Sequence, residues 1–96
     1  MKKPKIYIAG PMSERSNLND EAFFKAEKRL QDKYTVLNPA RRQLGLTYED
    51  YIRQGIILLL QAEVIYCLRG WSLSRGADAE EHLARVLSLE MIFEED

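Results

Sequence analysis

Lys5-Ile6-Tyr7-Ile8-Ala9-Gly10-Pro11 decides the fold. Five residues dominated by Ile and Tyr stop at Gly-Pro, which is the pattern of a short buried strand closed by a turn. Similar runs return at Tyr34 to Leu37, Glu63 to Leu68 and Glu90 to Phe93. Helical spacing fills the gaps. Asp20 to Lys33 carries Ala22, Phe23, Ala26 and Leu30 on one side and Lys25, Lys28 and Arg29 on the other, with Asn17 or Asn19 placed to cap it. Thr47 opens a second helix, and Thr47-x-x-Asp50 resembles a capping box with Asp in place of Glu. Its stripe is Tyr48, Tyr51, Ile52, Gly55, Ile56, Leu59 and Leu60. Ile57 and Leu58 lie off that stripe, so this helix is apolar on more than one face and calls for cover from its own sheet or from another subunit. Gly76 to Ser88 forms a third helix, and Glu94-Glu95-Asp96 reads as a solvated tail.

The order β-α-β-α-β-α-β implies right-handed crossovers and a parallel sheet with helices on both faces. Ligands of such sheets sit beyond the carboxyl ends of the strands, where strand order reverses. Three loops occupy that place: Gly10 to Asn19, Asn38 to Leu46 and Arg69 to Arg75.

Composition sets the outer bounds. Ninety-six residues allow one domain, spanning residues 1–96, and 46% hydrophobic with 30% charged residues is a globular composition. Fourteen basic against 15 acidic residues give a net charge of −1, so direct nucleic-acid binding is not expected. Cys67 is alone and forms no internal disulfide, leaving stability to a small core or to a partner subunit. Met1 to Lys5 is basic, but Ile6 to Ala9 is too short for the core of a signal peptide. Gly55 to Leu68, interrupted by Gln61 and Glu63, is shorter than the about 20 residues of a membrane span. A cytoplasmic protein without a membrane partner is the expectation.

Glu80 is the most informative side chain. Its helical neighbours are Ala77, Leu83, Ala84 and Leu87, which places it on the apolar face. Glu81 shares a face with Asp78, Arg85 and Ser88, the expected solvent side. A carboxylate on a buried stripe near a helix start is a candidate for chemistry; the alternative is a stripe-edge glutamate that reaches water. Ser72, Ser74, Arg75 and Gly76 combine hydroxyls, a guanidinium and free helix N–H groups, which suit a phosphate or carboxylate, or merely cap the helix. Gly10 just past the first strand permits close backbone approach to a ligand, and a tight turn explains it equally well. Neither G-x-G-x-x-G nor a Walker-type loop is present, and one His with one Cys builds no usual zinc site, so no cofactor or metal is expected. Structural roles suit Cys67 and His82 best.

These blocks together resemble a known superfamily. They are Ile6-Tyr7-Ile8-Ala9-Gly10-Pro11-Met12, Asn19 with Phe23, Asn38-Pro39-Ala40, Tyr48-Glu49-Asp50-Tyr51-Ile52-Arg53 and Gly70-Trp71-Ser72-x-Ser74-Arg75-Gly76-Ala77-x-x-Glu80. Over nearly its whole length the chain is similar to the nucleoside 2-deoxyribosyltransferase-like superfamily, in particular its short branch common in bacteriophages and prophages. Characterised members cleave the N-glycosidic bond of deoxynucleosides or their 5′-monophosphates and pass the sugar to another base or to water. The resemblance implies Glu80 as nucleophile, four residues after Gly76 with Ala84 four further on, and Tyr7 as the family tyrosine of the first strand. It implies a covalent glycosyl-enzyme formed with retention.

Two positions depart from the family pattern. Relatives carry an aspartate in the second helix, eight residues before the acid that opens the third strand; counted back from Glu63, that position is Gly55. A mid-helix glycine costs about 1 kcal/mol relative to alanine, so close packing should compensate. Ser74 stands where transferases often have a second acid.

The expected fold is therefore a small three-layer, Rossmann- or flavodoxin-like α/β domain with a four-stranded parallel sheet in the order 2-1-3-4. The expected function is an N-glycosidase or deoxyribosyltransferase acting on a small-molecule nucleoside or nucleotide, namely a deoxynucleoside or its 5′-monophosphate. Glu80 and Tyr7 would be catalytic. The Gly10-Pro11-Met12 backbone would line the base pocket, Ser72, Ser74 and Arg75 would hold a phosphate, and Asn38 and Gly76 would also bind substrate. The alternative is a nucleotide-binding or interaction module that keeps the pocket without the chemistry. A homodimer built on the second helix is expected in either case.

Overall fold

The structure is a computed structural model that describes residues 2–11, 19–41 and 45–94. The elements are β1 (Lys5–Ala9), α1 (Asp20–Leu30), β2 (Thr35–Leu37), α2 (Tyr48–Leu59), β3 (Val64–Cys67), a 3₁₀ turn (Trp71–Leu73), α3 (Arg75–Val86) and β4 (Glu90–Phe93). The four strands form one sheet in the order β2-β1-β3-β4, and every pair is parallel. Ile6 stands beside Val64 and Tyr7 beside Ile65.

Alternation along the strands makes two cores. Ile6, Ile8, Val64 and Tyr66 point to one face and meet Phe23 and Ala26 of α1. Tyr7, Ala9, Ile65 and Cys67 point to the other and meet Leu59 of α2 and Ala84 of α3. β1 and β3 are thus covered on both faces, which is why their sequences are apolar without a break.

Local chemistry sets the ends. Thr47 caps α2 by accepting from the Asp50 amide at 3.1 Å, while the Asp50 carboxylate takes up Arg53. Asn19 sits at the N-cap of α1, but its side chain donates instead to the Pro11 carbonyl at 2.8 Å. Asn17 lies outside the described residues. α1 stops at Leu30, short of the expected Lys33, as the Tyr34 amide turns back onto the Leu30 carbonyl. α3 stops at Val86, where Ser88 adopts φ 58° and the Leu89 and Ser88 amides return to the Ala84 and Arg85 carbonyls. That is a Schellman closure made without glycine.

Three expectations are corrected. Leu60, placed on the buried stripe of α2, is 59% exposed because it is the C-cap, whereas Leu58 packs against the core. Glu94 is not a solvated tail: its carboxylate accepts from the Arg69 amide at 3.0 Å, the Arg29 guanidinium at 2.5 Å and the Tyr66 hydroxyl at 3.3 Å, while its own amide extends the β3–β4 ladder to the Cys67 carbonyl. Glu81, expected in solvent, is 1% exposed. Ala77 and Ala84 have too little side chain to hold α3 off the sheet, so both glutamates between them are covered. No helix among the described residues is long and apolar enough to cross a membrane.

Candidate functional site

Tyr7, in the middle of β1, and Glu80, in the second turn of α3, meet beneath α2. The Tyr7 hydroxyl donates to Glu80 Oε2 at 2.7 Å, and the two residues are 1% and 5% exposed. Gly55 of α2 lies directly against them. A Cβ there would fall 2.6 Å from Glu80 Oε2 and 2.7 Å from the Tyr7 hydroxyl. The helix cost of this glycine is thereby matched by the room it leaves, since any side chain at 55 would displace the hydrogen-bonded pair. Among the described residues Glu80 Oε1 has no hydrogen-bond partner.

Burial dominates the electrostatics. It pushes the Glu80 carboxyl from the ordinary 4.5 up to about 7, against the smaller opposing effect of the Tyr7 hydrogen bond. The Tyr7 phenol is held well above its usual range by its own burial and then by the Glu80 charge, so it stays a donor at physiological pH. Behind them the Cys67 thiol is pushed up to about 12 by burial, with Glu81 and Glu80 adding to the rise and Arg85 opposing it. A thiol so held is no nucleophile. Glu81 is engaged by the Arg85 guanidinium. His82 is exposed, with Nδ1 2.8 Å from the Asp78 carbonyl.

A cleft of about 430 Å³ opens between the first turns of α2 and α3, lined by Tyr48, Glu49, Ile52, Arg53, Arg75, Gly76 and Ala79. Ile52 precedes Gly55 by one turn and Gly76 precedes Glu80 by one turn, so cleft and buried pair follow each other along the α2–α3 seam. Gly76 lets the two helices approach there: a Cβ on it would overlap Ile52 Cδ1, and the Ile52 side chain would have to turn aside. No group of three or more His, Cys, Asp or Glu able to hold a metal occurs among the described residues.

The expected site residues divide. Tyr7 and Glu80 are together, while Arg75 and Gly76 line the cleft. Ser74 spends its hydroxyl capping α3, accepting from the Ala77 amide at 3.2 Å, and Ser72 is exposed on the 3₁₀ turn. Gly10 makes its close approach to Leu68, whose Cδ1 would lie 2.7 Å from an added Cβ, and so serves packing. Pro11 offers its carbonyl to Asn19. Asn38 is buried and tied to the Glu27 carboxylate and the Ala40 amide, at 2.9 Å each, which makes it a brace between α1 and the turn after β2. Met12 lies outside the described residues. Sequence reasoning missed Tyr48 and Ile52 as cleft walls and Glu81 as a buried acid. Ala77 and Ala84 on either side of the glutamates were the available signal for Glu81.

A raised carboxyl makes stability depend on pH. Between 4.5 and about 7 the folded chain holds a proton on Glu80 that the unfolded chain has released. Stability should therefore fall across that window as pH rises, by on the order of 3 kcal/mol, and stay level above it. Urea denaturation of the wild type and of Glu80→Gln, compared at each pH, isolates this effect: the difference between them should change through the window, and a constant difference would contradict it.

A comparison with curated proteins finds no match. The model of the family described as Domain of unknown function (DUF4406) matches residues 4–93, a span that holds both partners of the Tyr7–Glu80 hydrogen bond and the cleft beside them, and the chain belongs to that family.

Proposed function

We propose that this chain cleaves the N-glycosidic bond of a deoxynucleoside or its 5′-monophosphate, as a hydrolase or a deoxyribosyltransferase, with Glu80 as the nucleophile. The observation that carries this reading is the buried Tyr7–Glu80 hydrogen bond, which fixes one carboxylate oxygen and leaves the other without a partner among the described residues. Oε1 attacks the anomeric carbon as it gains oxocarbenium character, and the bond to the base breaks with its electron pair going to the ring nitrogen. Water or a second base then displaces the carboxylate from C1′, and the proton it gives up to solvent balances the one that the departing base takes from solvent. Tyr7 acts by orientation. Attack needs the ionised carboxyl, so activity rises with pH through about 7. Arg75, exposed at the start of α3 and with no ion pair among the described residues, suits the 5′-phosphate.

A second reading is favoured by one observation. Gly55 puts no acid beside the pair, and Glu80 is nearly closed off from solvent, as in a nucleotide-binding or interaction module without catalysis.

In both readings the chain pairs with itself through α2. Ile57 and Leu60 are 58% and 59% exposed, and Ile57 borders a hollow of about 260 Å³ with Pro39, Arg41, Gln54 and Leu58. Burying such side chains is worth roughly 1.5–3 kcal/mol each, and a two-fold axis uses the patch twice.

Incubated with a panel of deoxynucleosides and their 5′-monophosphates, the protein should release free base, detected by chromatography, and Glu80→Gln should release none. Arg75→Ala should weaken 5′-monophosphates by roughly 10- to 150-fold, the equivalent of a charge-assisted contact, and leave nucleosides unchanged. Unchanged activity in a folded Glu80→Gln protein would end the nucleophile assignment. By light scattering at micromolar concentration the wild type should be a dimer, and Ile57→Asp with Leu60→Asp a monomer. A monomeric wild type would end the pairing.

A further inference from the structure

We infer that the N-glycosides this site is built to cleave carry a positively charged base, either an N-alkylated purine or a pyridinium. The inference rests on the glycosidase reading and narrows its substrate class.

Breaking an N-glycosidic bond returns an electron pair to the base. A neutral base then needs a proton, and an enzyme acid that supplies it contributes ~10²–10⁴-fold. Among the described residues, the groups that lie directly against Glu80 from each neighbouring element do not offer one. From β1, the Tyr7 proton is committed to Oε2 at 2.7 Å. From α2 comes Gly55, where even a Cβ would fall 2.6 Å from that oxygen, so nothing able to carry a proton fits at that position beside the intact pair. From β3, Cys67 is a buried thiol held to about 12. The adjacent acid on α3, Glu81, is occupied by Arg85. A base that is already cationic needs no proton, because the returning pair neutralises it.

The charge of the nucleophile points the same way. Glu80 is 5% exposed, and among the described residues its only hydrogen-bond donor is a neutral phenol, which leaves one oxygen without a partner there. Burial therefore resists its ionisation. A neutral substrate deepens that burial. A cationic base set beside the carboxyl favours the carboxylate, so the substrate supplies a charge that none of the described residues brings to Glu80.

The reaction closes in two steps. Glu80 Oε1 bonds to C1′ as the C1′–N bond breaks, its pair going to the ring nitrogen, and the base leaves neutral. Water then bonds to C1′ as the C1′–Oε1 bond breaks toward Glu80, and the surplus proton of the water goes to solvent.

Three probes at equal concentration test this: N7-methyl-2′-deoxyguanosine 5′-monophosphate, nicotinamide mononucleotide and 2′-deoxyguanosine 5′-monophosphate. Base release is followed by chromatography, and release seen with Glu80→Gln is subtracted as spontaneous. At least one cationic probe should be cleaved ~100-fold or more faster than the neutral one, the lower end of what a missing acid costs. Which one leads separates a methylated purine from a pyridinium. If the neutral nucleotide is cleaved within ~10-fold of both cationic probes, a proton does reach the base and the substrate class is wrong, while the glycosidase reading stands. If none of the three gives Glu80-dependent release, both fall.

Discussion

One buried hydrogen bond, from the Tyr7 hydroxyl to Glu80, constrains all three elements around it. β1 is an inner strand, and its third residue places a phenol under two helices. A phenol left there without a partner would cost roughly 1–3 kcal/mol. α3 answers with a carboxyl, which requires Glu80 to turn inward, and α2 answers by having no side chain at position 55. Gly55 is thus best understood as the third member of the arrangement, and the loss of helix propensity there is the local cost of a contact made across the fold.

The same geometry divides the site into two parts with different properties. The cleft at the first turns of α2 and α3 is open, with an aromatic ring and arginine side chains on its walls, and suits recognition. The pair further along the seam is buried, and its carboxyl is raised by that burial against the opposing effect of the Tyr7 hydrogen bond. The open cleft and the buried acid follow each other along one helix seam, a succession that the proposed function draws on beside the Tyr7–Glu80 hydrogen bond.

Much of this was legible in the sequence. Short apolar runs alternating with helical spacing imply the parallel sheet, and the order β2-β1-β3-β4 agrees with expectation. Glu80 was visible because its neighbours at helical spacing are apolar, and Gly55 because a mid-helix glycine needs a reason. What escaped had nonlocal causes. Periodicity locates the centre of a buried stripe but not its width, so it points Glu81 to solvent, although two alanines let α3 settle over it. Glu94 is held by Arg29, Tyr66 and the Arg69 amide, three groups separated in sequence that only the folded sheet collects. Asn38 follows a strand at the expected ligand end of the sheet, and the fold ties its side chain to α1 and the adjoining turn, contacts that no local pattern reveals.

The central claim is that burial against Tyr7, under Gly55, governs the ionisation of Glu80. Carbon-13 NMR of the Glu80 carboxyl reads this directly, followed from about pH 4 to about pH 9 in the wild type and in Tyr7→Phe. The carboxyl should titrate with a midpoint near about 7, moving higher when the phenol hydrogen bond is removed. A wild-type midpoint at the ordinary 4.5 would contradict the account.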